Sequence, residues 1–170
     1  MPANIEIKAR VTDLAAFRRR AESLSDTGVE IIPQEDIFFH TPQGRLKLRI
    51  LSPDAAQLVY YARRDTSGPK RSDYLIYEVT EPHALKALLG QALGVRGVVR
   101  KTRHLFKVGQ TRVHLDEVDG LGTFVELEVV LRQDQSDAEG QAIAESLMSK
   151  LDIKATDLVE GAYMDLIEGR

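Results

Sequence analysis

The chain has 170 residues, 43% of them hydrophobic and 29% charged, a globular composition long enough for one domain with a sizeable core. A formal net charge of −3 argues against nucleic-acid binding by bulk electrostatics, and no apolar run approaches the roughly 20 residues that cross a bilayer. The absence of cysteine excludes disulfides, thiolate chemistry and cysteine-ligated zinc; a metal would be held by oxygen, with histidine as a minor option, which favours magnesium, manganese or calcium.

Met1-Pro2-Ala3 leads directly into alternation, with no basic-then-apolar leader, so a cytoplasmic location is expected. Residues 4–10 place Asn4, Glu6, Lys8 and Arg10 on one face and Ile5, Ile7 and Ala9 on the other, the period of a strand. Residues 12–24 read as a helix, with Leu14, Phe17, Ala21 and Leu24 at helical spacing. Glu35 to His40 reads as a second strand, and Pro42-Gln43-Gly44 as a turn. Beyond it Arg45, Lys47 and Arg49 alternate with Leu46, Leu48 and Ile50, and further strands are predicted at 57–63 and 72–79. Glu81 to Leu93 is a second helix, with Pro82 in its first turn and Gly94 just past its end. Val98–Val108 and Thr111–Val118 form a hairpin around Gly109-Gln110. A last strand, Thr123–Leu131, precedes helices at Ser136–Leu151 and Thr156–Ile167. The whole is one α+β domain over residues 1–170, with about eight strands and four helices.

The polar faces of these strands are almost entirely ionic. One carries Glu6 and Lys8, another Arg45, Lys47 and Arg49, a third Lys101 and Arg103, a fourth Arg112, His114 and Asp116, and the last Glu126 and Glu128. A solvated sheet face would mix in Thr, Ser and Gln. Eight antiparallel strands closed into a barrel leave an interior that side chains fill or that holds one small ligand. An interior with both signs of charge needs partners. A polyanion gripped by arginine and lysine, with a divalent cation held by carboxylates, would complete it.

Asn4-Ile5-Glu6-Ile7-Lys8 resembles the Glu-x-Glu-x-Lys signature of the CYTH family, also called triphosphate tunnel metalloenzymes. The resemblance continues in order through Gln34–Phe39, Gly44–Arg49, Lys70–Tyr74, Val99–Arg103, His114–Val118 and Gly120–Glu128, and covers residues 4 to about 165. It is nearest the branch named for class IV adenylyl cyclases. The resemblance implies an eight-stranded antiparallel β-barrel tunnel with helices packed outside. It implies one or two magnesium or manganese ions on Glu6, Glu126 and Glu128, with Asp116 a further candidate. Lys8, Arg45, Lys47, Arg49, Lys101, Arg103 and Arg112 would grip phosphates, and Arg63, Lys70 and Arg71 would lie toward the mouth. The sequence departs from the signature at Asn4, where an amide replaces the first glutamate; an amide oxygen can ligate a metal but brings no charge to a second ion.

The implied partner is a nucleoside or inorganic triphosphate, with no nucleic acid and no membrane, and with a monomer or homodimer as the assembly. In a cyclase the ribose 3′-hydroxyl of ATP attacks the α-phosphorus and pyrophosphate leaves; in a triphosphatase water attacks the γ-phosphorus. Either reaction asks for positioning and charge neutralisation, and Glu6, Glu126 or Glu128 could accept the nucleophile's proton. Phe39, Tyr60, Tyr61 and Tyr74 are candidates for a base pocket, and His114 shares a face with Arg112 and Asp116. No P-loop or nucleophile-elbow motif is present. A module that binds a nucleotide or polyphosphate without turnover is the non-enzymatic alternative.

Overall fold

The ionic–apolar alternation closes on itself in the computed structural model, which describes residues 1–169. The strands are β1 (Ala3–Arg10), β2 (Glu30–Phe39), β3 (Arg45–Ser52), β4 (Ala55–Arg63), β5 (Lys70–Val79), β6 (Val95–Val108), β7 (Thr111–Val118) and β8 (Gly122–Val130). They form a closed barrel in the order β1-β5-β4-β3-β2-β6-β7-β8, every neighbouring pair antiparallel. Helices α1 (Leu14–Leu24), α2 (Pro82–Leu93), α3 (Asp137–Lys150) and α4 (Tyr163–Glu168) complete the α+β fold that the sequence predicts.

The core lies mainly outside the barrel. Ile7, Phe106, Val113, Leu115, Val125 and Leu127 point outward and pack under Phe17 and Ala21 of α1 and Leu147 of α3. Ile37, Phe39 and Leu48 pack in the same way under Leu85 and Leu89 of α2. With the apolar faces covered by helices, alternation leaves the ionic positions no place but the interior. Helix α3 approaches β1 through Gly140, where an added Cβ would stand 2.6 Å from both Ile5 Cγ1 and Leu131 Cδ2. Gly140→Ala should therefore destabilise the protein by about 1 kcal/mol, lowering Tm by roughly 3 °C, although alanine is the better helix former. An unchanged or raised Tm in thermal unfolding would show that α3 can move away from β1.

The structure corrects the C-terminal helix predicted over 156–167. A short 3-10 turn at Ala155–Asp157 is followed by an extended stretch, and α4 begins only at Tyr163. β5 pairs with β1 no further than Glu6, so the edge of β1 beyond that point is open. Leu158 bridges Ala9, and the Val159 N–H donates to the Lys8 carbonyl at 2.9 Å, so this stretch fills the edge. Gly161, at φ 79°, then turns the chain into α4. β2 also runs five residues earlier than predicted, because Pro33 sits where β2 is paired with β6 alone.

The segment around α4 closes one end of the barrel. Tyr163 and Met164 pack on Phe38, Val99, Val118 and Phe124, with the Phe124 and Tyr163 rings edge-to-face at 5.2 Å. The Gly161 carbonyl accepts from Lys8 Nζ at 2.9 Å and from Arg63 at 3.0 Å. The tunnel is thus a cup whose open mouth carries Glu30, Leu51, Ile76 and Arg112.

Candidate active site

The cup encloses a cavity of about 400 Å³, and strand register divides its charges between two walls. On one side β1, β7 and β8 set Glu6 opposite Glu128, Lys8 opposite Glu126, Arg112 opposite Glu128 and His114 opposite Glu126. On the other side β2 lies between β3 and β6, placing Lys47 and Arg49 on one flank of Asp36 and Lys101 on the other.

Asp36 is a site residue that sequence reasoning missed. It is 1% exposed and receives Arg49 Nε and Nη2, both at 2.8 Å, with Lys47 Nζ at 3.3 Å and Lys101 Nζ at 3.4 Å. Burial alone would raise its carboxyl pKa; the Arg49, Lys47 and Lys101 charges outweigh that and hold it well below the usual range. One carboxylate among three cations leaves this wall net positive. Burial, reinforced by Arg49, brings Lys47 down to about 7. Lys8, near the floor, is brought down by burial to about 8.

The opposite wall concentrates carboxylates. Glu126 lies 3.4 Å from Lys8 Nζ and 3.3 Å from Arg103 Nη2, and Glu128 lies 3.0 Å from Arg112 Nη2. Burial would raise Glu126, but Lys8, Arg103 and Lys101 hold it well below its ordinary value. Burial would likewise raise Glu128, which His114 and Arg112 lower. Glu6 is shifted upward, by burial first and then by the facing Glu128, although Arg63 Nη1 grips it at 2.7 Å. Oxygens of Glu126 and Glu128 and a ring nitrogen of His114 lie within 4.8 Å of one another, a spacing that a divalent cation could close. The donor set fits the ion that the sequence implies: two half-buried carboxylates, a ring nitrogen, and, in the same cavity, a buried Asn4 Oδ1 that has no hydrogen-bond partner among the described residues.

Among the predicted phosphate-gripping residues, Lys8, Lys47, Arg49, Lys101, Arg103 and Arg112 line the cavity, as does Arg63, which lies at the floor beside the Gly161 carbonyl rather than at the mouth. Arg45 does not: it sits beyond the floor, paired with Asp65 at 2.8 Å and Asp165 at 2.7 Å. Asp116 is not brought to the carboxylate cluster. Fully buried, it receives both Nε and Nη2 of Arg103, at 2.8 and 2.7 Å, and the Tyr163 hydroxyl at 2.8 Å, so it holds Arg103 rather than facing the cavity. Glu6 lines the cavity but stands outside the three-residue cluster. Lys70 donates to the Thr66 carbonyl, and Arg71 faces outward to Asp73 and Asp137. Of the aromatics, Tyr61 and Tyr74 line the cavity, whereas Phe39 lies in the outer core. Tyr163, on the floor with Lys8 Nζ 4.0 Å and Lys101 Nζ 4.9 Å from its ring centre, carried no signal in the sequence beyond helical spacing.

The family model of the CYTH domain matches residues 2–163. A curated relative from Aeromonas hydrophila, named adenylate cyclase CyaB, is 24% identical over 174 residues, covering 96% of this chain and 88% of that protein. The solved structure of the PH1012 protein from Pyrococcus horikoshii superposes with a TM-score of 0.85 at 26% identity, covering 96% of this chain and 98% of that one. At 17% identity, where the likeness concerns the fold alone, a Hippeastrum protein described by a dominant triphosphatase activity superposes with a TM-score of 0.66, covering 98% of this chain and 96% of that one.

Proposed function

The chain belongs to the CYTH domain family, and from that premise we propose that it is a metal-dependent enzyme that converts ATP to cyclic AMP and pyrophosphate. The observation that carries this reading is the opposition of the two walls: a net cationic face of Lys47, Arg49 and Lys101 around Asp36, across a cavity of about 400 Å³ from the carboxylates of Glu126 and Glu128. Neither wall is balanced by itself, and a triphosphate with a divalent cation neutralises both. Ile32, Leu51, Tyr74, Ile76 and Leu105 add an apolar lip at the mouth, suited to a nucleobase rather than to bare triphosphate.

In this reading Lys8, Arg63, Lys101 and Arg103 hold the terminal phosphates toward the floor. Lys47 and Arg49 draw charge from the oxygens at the α-phosphorus as the 3′-hydroxyl oxygen bonds to it and the bond to the β-phosphate oxygen breaks. Glu126 or Glu128 accepts the hydroxyl proton, and the pyrophosphate leaves with its charge matched by the floor cations. A divalent cation, when bound at Glu126 and Glu128, would supply Lewis-acid neutralisation of phosphoryl oxygens. Triphosphate hydrolysis is the second reading, because the charged walls alone satisfy an inorganic triphosphate.

Incubation with ATP, and separately with inorganic tripolyphosphate, each with magnesium or manganese, tests the two. Cyclic AMP and pyrophosphate support the cyclase. Orthophosphate from both substrates moves the protein to the second reading, and binding without products makes it a binding module.

A pH signature follows from Lys47. Its pKa is lowered to about 7 in the folded protein, so at pH 8 it is largely neutral, and a phosphate beside it restores the proton. The bound state then holds more protons than the free one, so affinity for tripolyphosphate should fall as pH rises from 7 to 9. Calorimetry at pH 8 in two buffers of different ionisation enthalpy should show proton uptake. Lys47→Ala should reduce that uptake and weaken binding about 10-fold or more. Unchanged affinity in the variant would remove Lys47 from the phosphate site.

A further inference from the structure

We propose that His114 is itself a metal ligand, and that with Glu126 and Glu128 it makes a mixed nitrogen–oxygen site that prefers manganese to magnesium. The inference rests on the reading that this tunnel takes a divalent cation and goes beyond it by naming a donor and a selectivity.

His114 is 4% exposed, and its Nδ1 has no hydrogen-bond partner among the described residues. That nitrogen lies 3.7 Å from Glu128 Oε1, beyond hydrogen-bond reach, with Glu126 directly across the strand pair. A buried polar nitrogen left unmet costs on the order of 1–3 kcal/mol, so a histidine with a purely structural task would be expected to use it. His104 on the neighbouring strand does so: Nδ1 meets Arg18 at 3.0 Å and Nε2 meets Glu117 at 3.2 Å. His114 instead leaves its Nδ1 unmet beside Glu128, and a ring nitrogen of His114 lies within 4.8 Å of oxygens of both Glu126 and Glu128, a spacing that one ion can span.

The choice of ion follows from the donors. Magnesium favours near-octahedral oxygen ligands and parts reluctantly with water, so an imidazole gains it little. First-row transition ions accept imidazole readily, and manganese also tolerates the carboxylate and carbonyl oxygens that dominate this wall. Like the Asn4 amide oxygen, the neutral imidazole adds a donor without adding negative charge.

The test is pulsed electron paramagnetic resonance on the full chain loaded with Mn2+, alone and with inorganic tripolyphosphate. Coordination by His114 predicts a directly bound imidazole nitrogen coupling that disappears in His114→Gln. In parallel, calorimetric titration should show the manganese-to-magnesium affinity ratio falling about tenfold or more in that variant. Mn2+ bound without nitrogen coupling in the unaltered protein would overturn the proposal and leave the triphosphate reading intact; this arm needs no variant to fold. Coupling that survives in His114→Gln would assign the nitrogen to another histidine and equally overturn it. No Mn2+ bound at all, with or without tripolyphosphate, would sink both readings together.

Discussion

Glu126→Gln should lower turnover by about 100-fold or more while the barrel stays folded. Glu126 is at once the neighbour of Lys8 and Arg103 and a member of the three-donor cluster. Losing its charge removes a metal donor and a proton acceptor, each worth kilocalories in the transition state. The same change makes the tunnel more positive, because Lys8 and Arg103 lose one neighbouring negative charge. Affinity for tripolyphosphate without metal should therefore rise even as turnover collapses. These opposite signs separate a damaged site from a damaged fold, which would lower both. Kinetics with ATP, metal-free calorimetry and thermal unfolding make the measurement. Full activity in the variant would remove Glu126 from the metal site.

Asp36→Asn should be the most destabilising single change in the tunnel, by about 3–5 kcal/mol, or roughly 10 °C in Tm. The amide is nearly isosteric, so packing is spared. What is lost is the negative charge between Lys101, which is buried, and Arg49 and Lys47, which are half-buried. The pH dependence carries the sign. A carboxyl whose folded pKa is depressed contributes stability that is present above its unfolded value near 3.9 and lost as pH falls through the folded value. That acid-side loss should be smaller in the variant. Burial already lowers Lys47 and Lys101, and without Asp36 both should fall further. They would then bind fewer protons folded than unfolded, so the variant should regain stability as pH rises through neutrality. Tripolyphosphate supplies the missing negative charge and should raise Tm more in the variant than in the parent protein. Equal Tm values, or equal shifts with tripolyphosphate, would mean that the three cations do not depend on Asp36.

These two residues differ in how legible they were. Glu126 alternates with Val125 and Leu127 on a strand whose apolar face is unmistakable, so its inward direction can be read from the chain. Asp36 stands one residue before Ile37-Phe38-Phe39, where the apolar run hides the alternation and with it the inward direction of the carboxylate. Its three partners come from two other strands, and only the placement of β2 between β3 and β6 collects them. Asp116 shows the converse. It shares a face with Arg112 and His114, but it lies nearer the floor, where Arg103 and Tyr163 occupy it. Arg45 continues the alternation of Lys47 and Arg49, yet its place at the floor end pairs it with Asp165 of α4.

The sequence by itself determined the strands, the helices that cover their apolar faces, and the ionic character of the interior, because a period of two assigns each side chain to a face without reference to any other strand. Only the tertiary structure decided which charges meet: Asp36 with three cations, Asp116 with Arg103, His114 with the two glutamates. Depth along the tunnel and distance across it depend on strand order, on the stagger of closure and on the segment that caps the floor. Alternation says which way a side chain points, and closure of the barrel says what it faces.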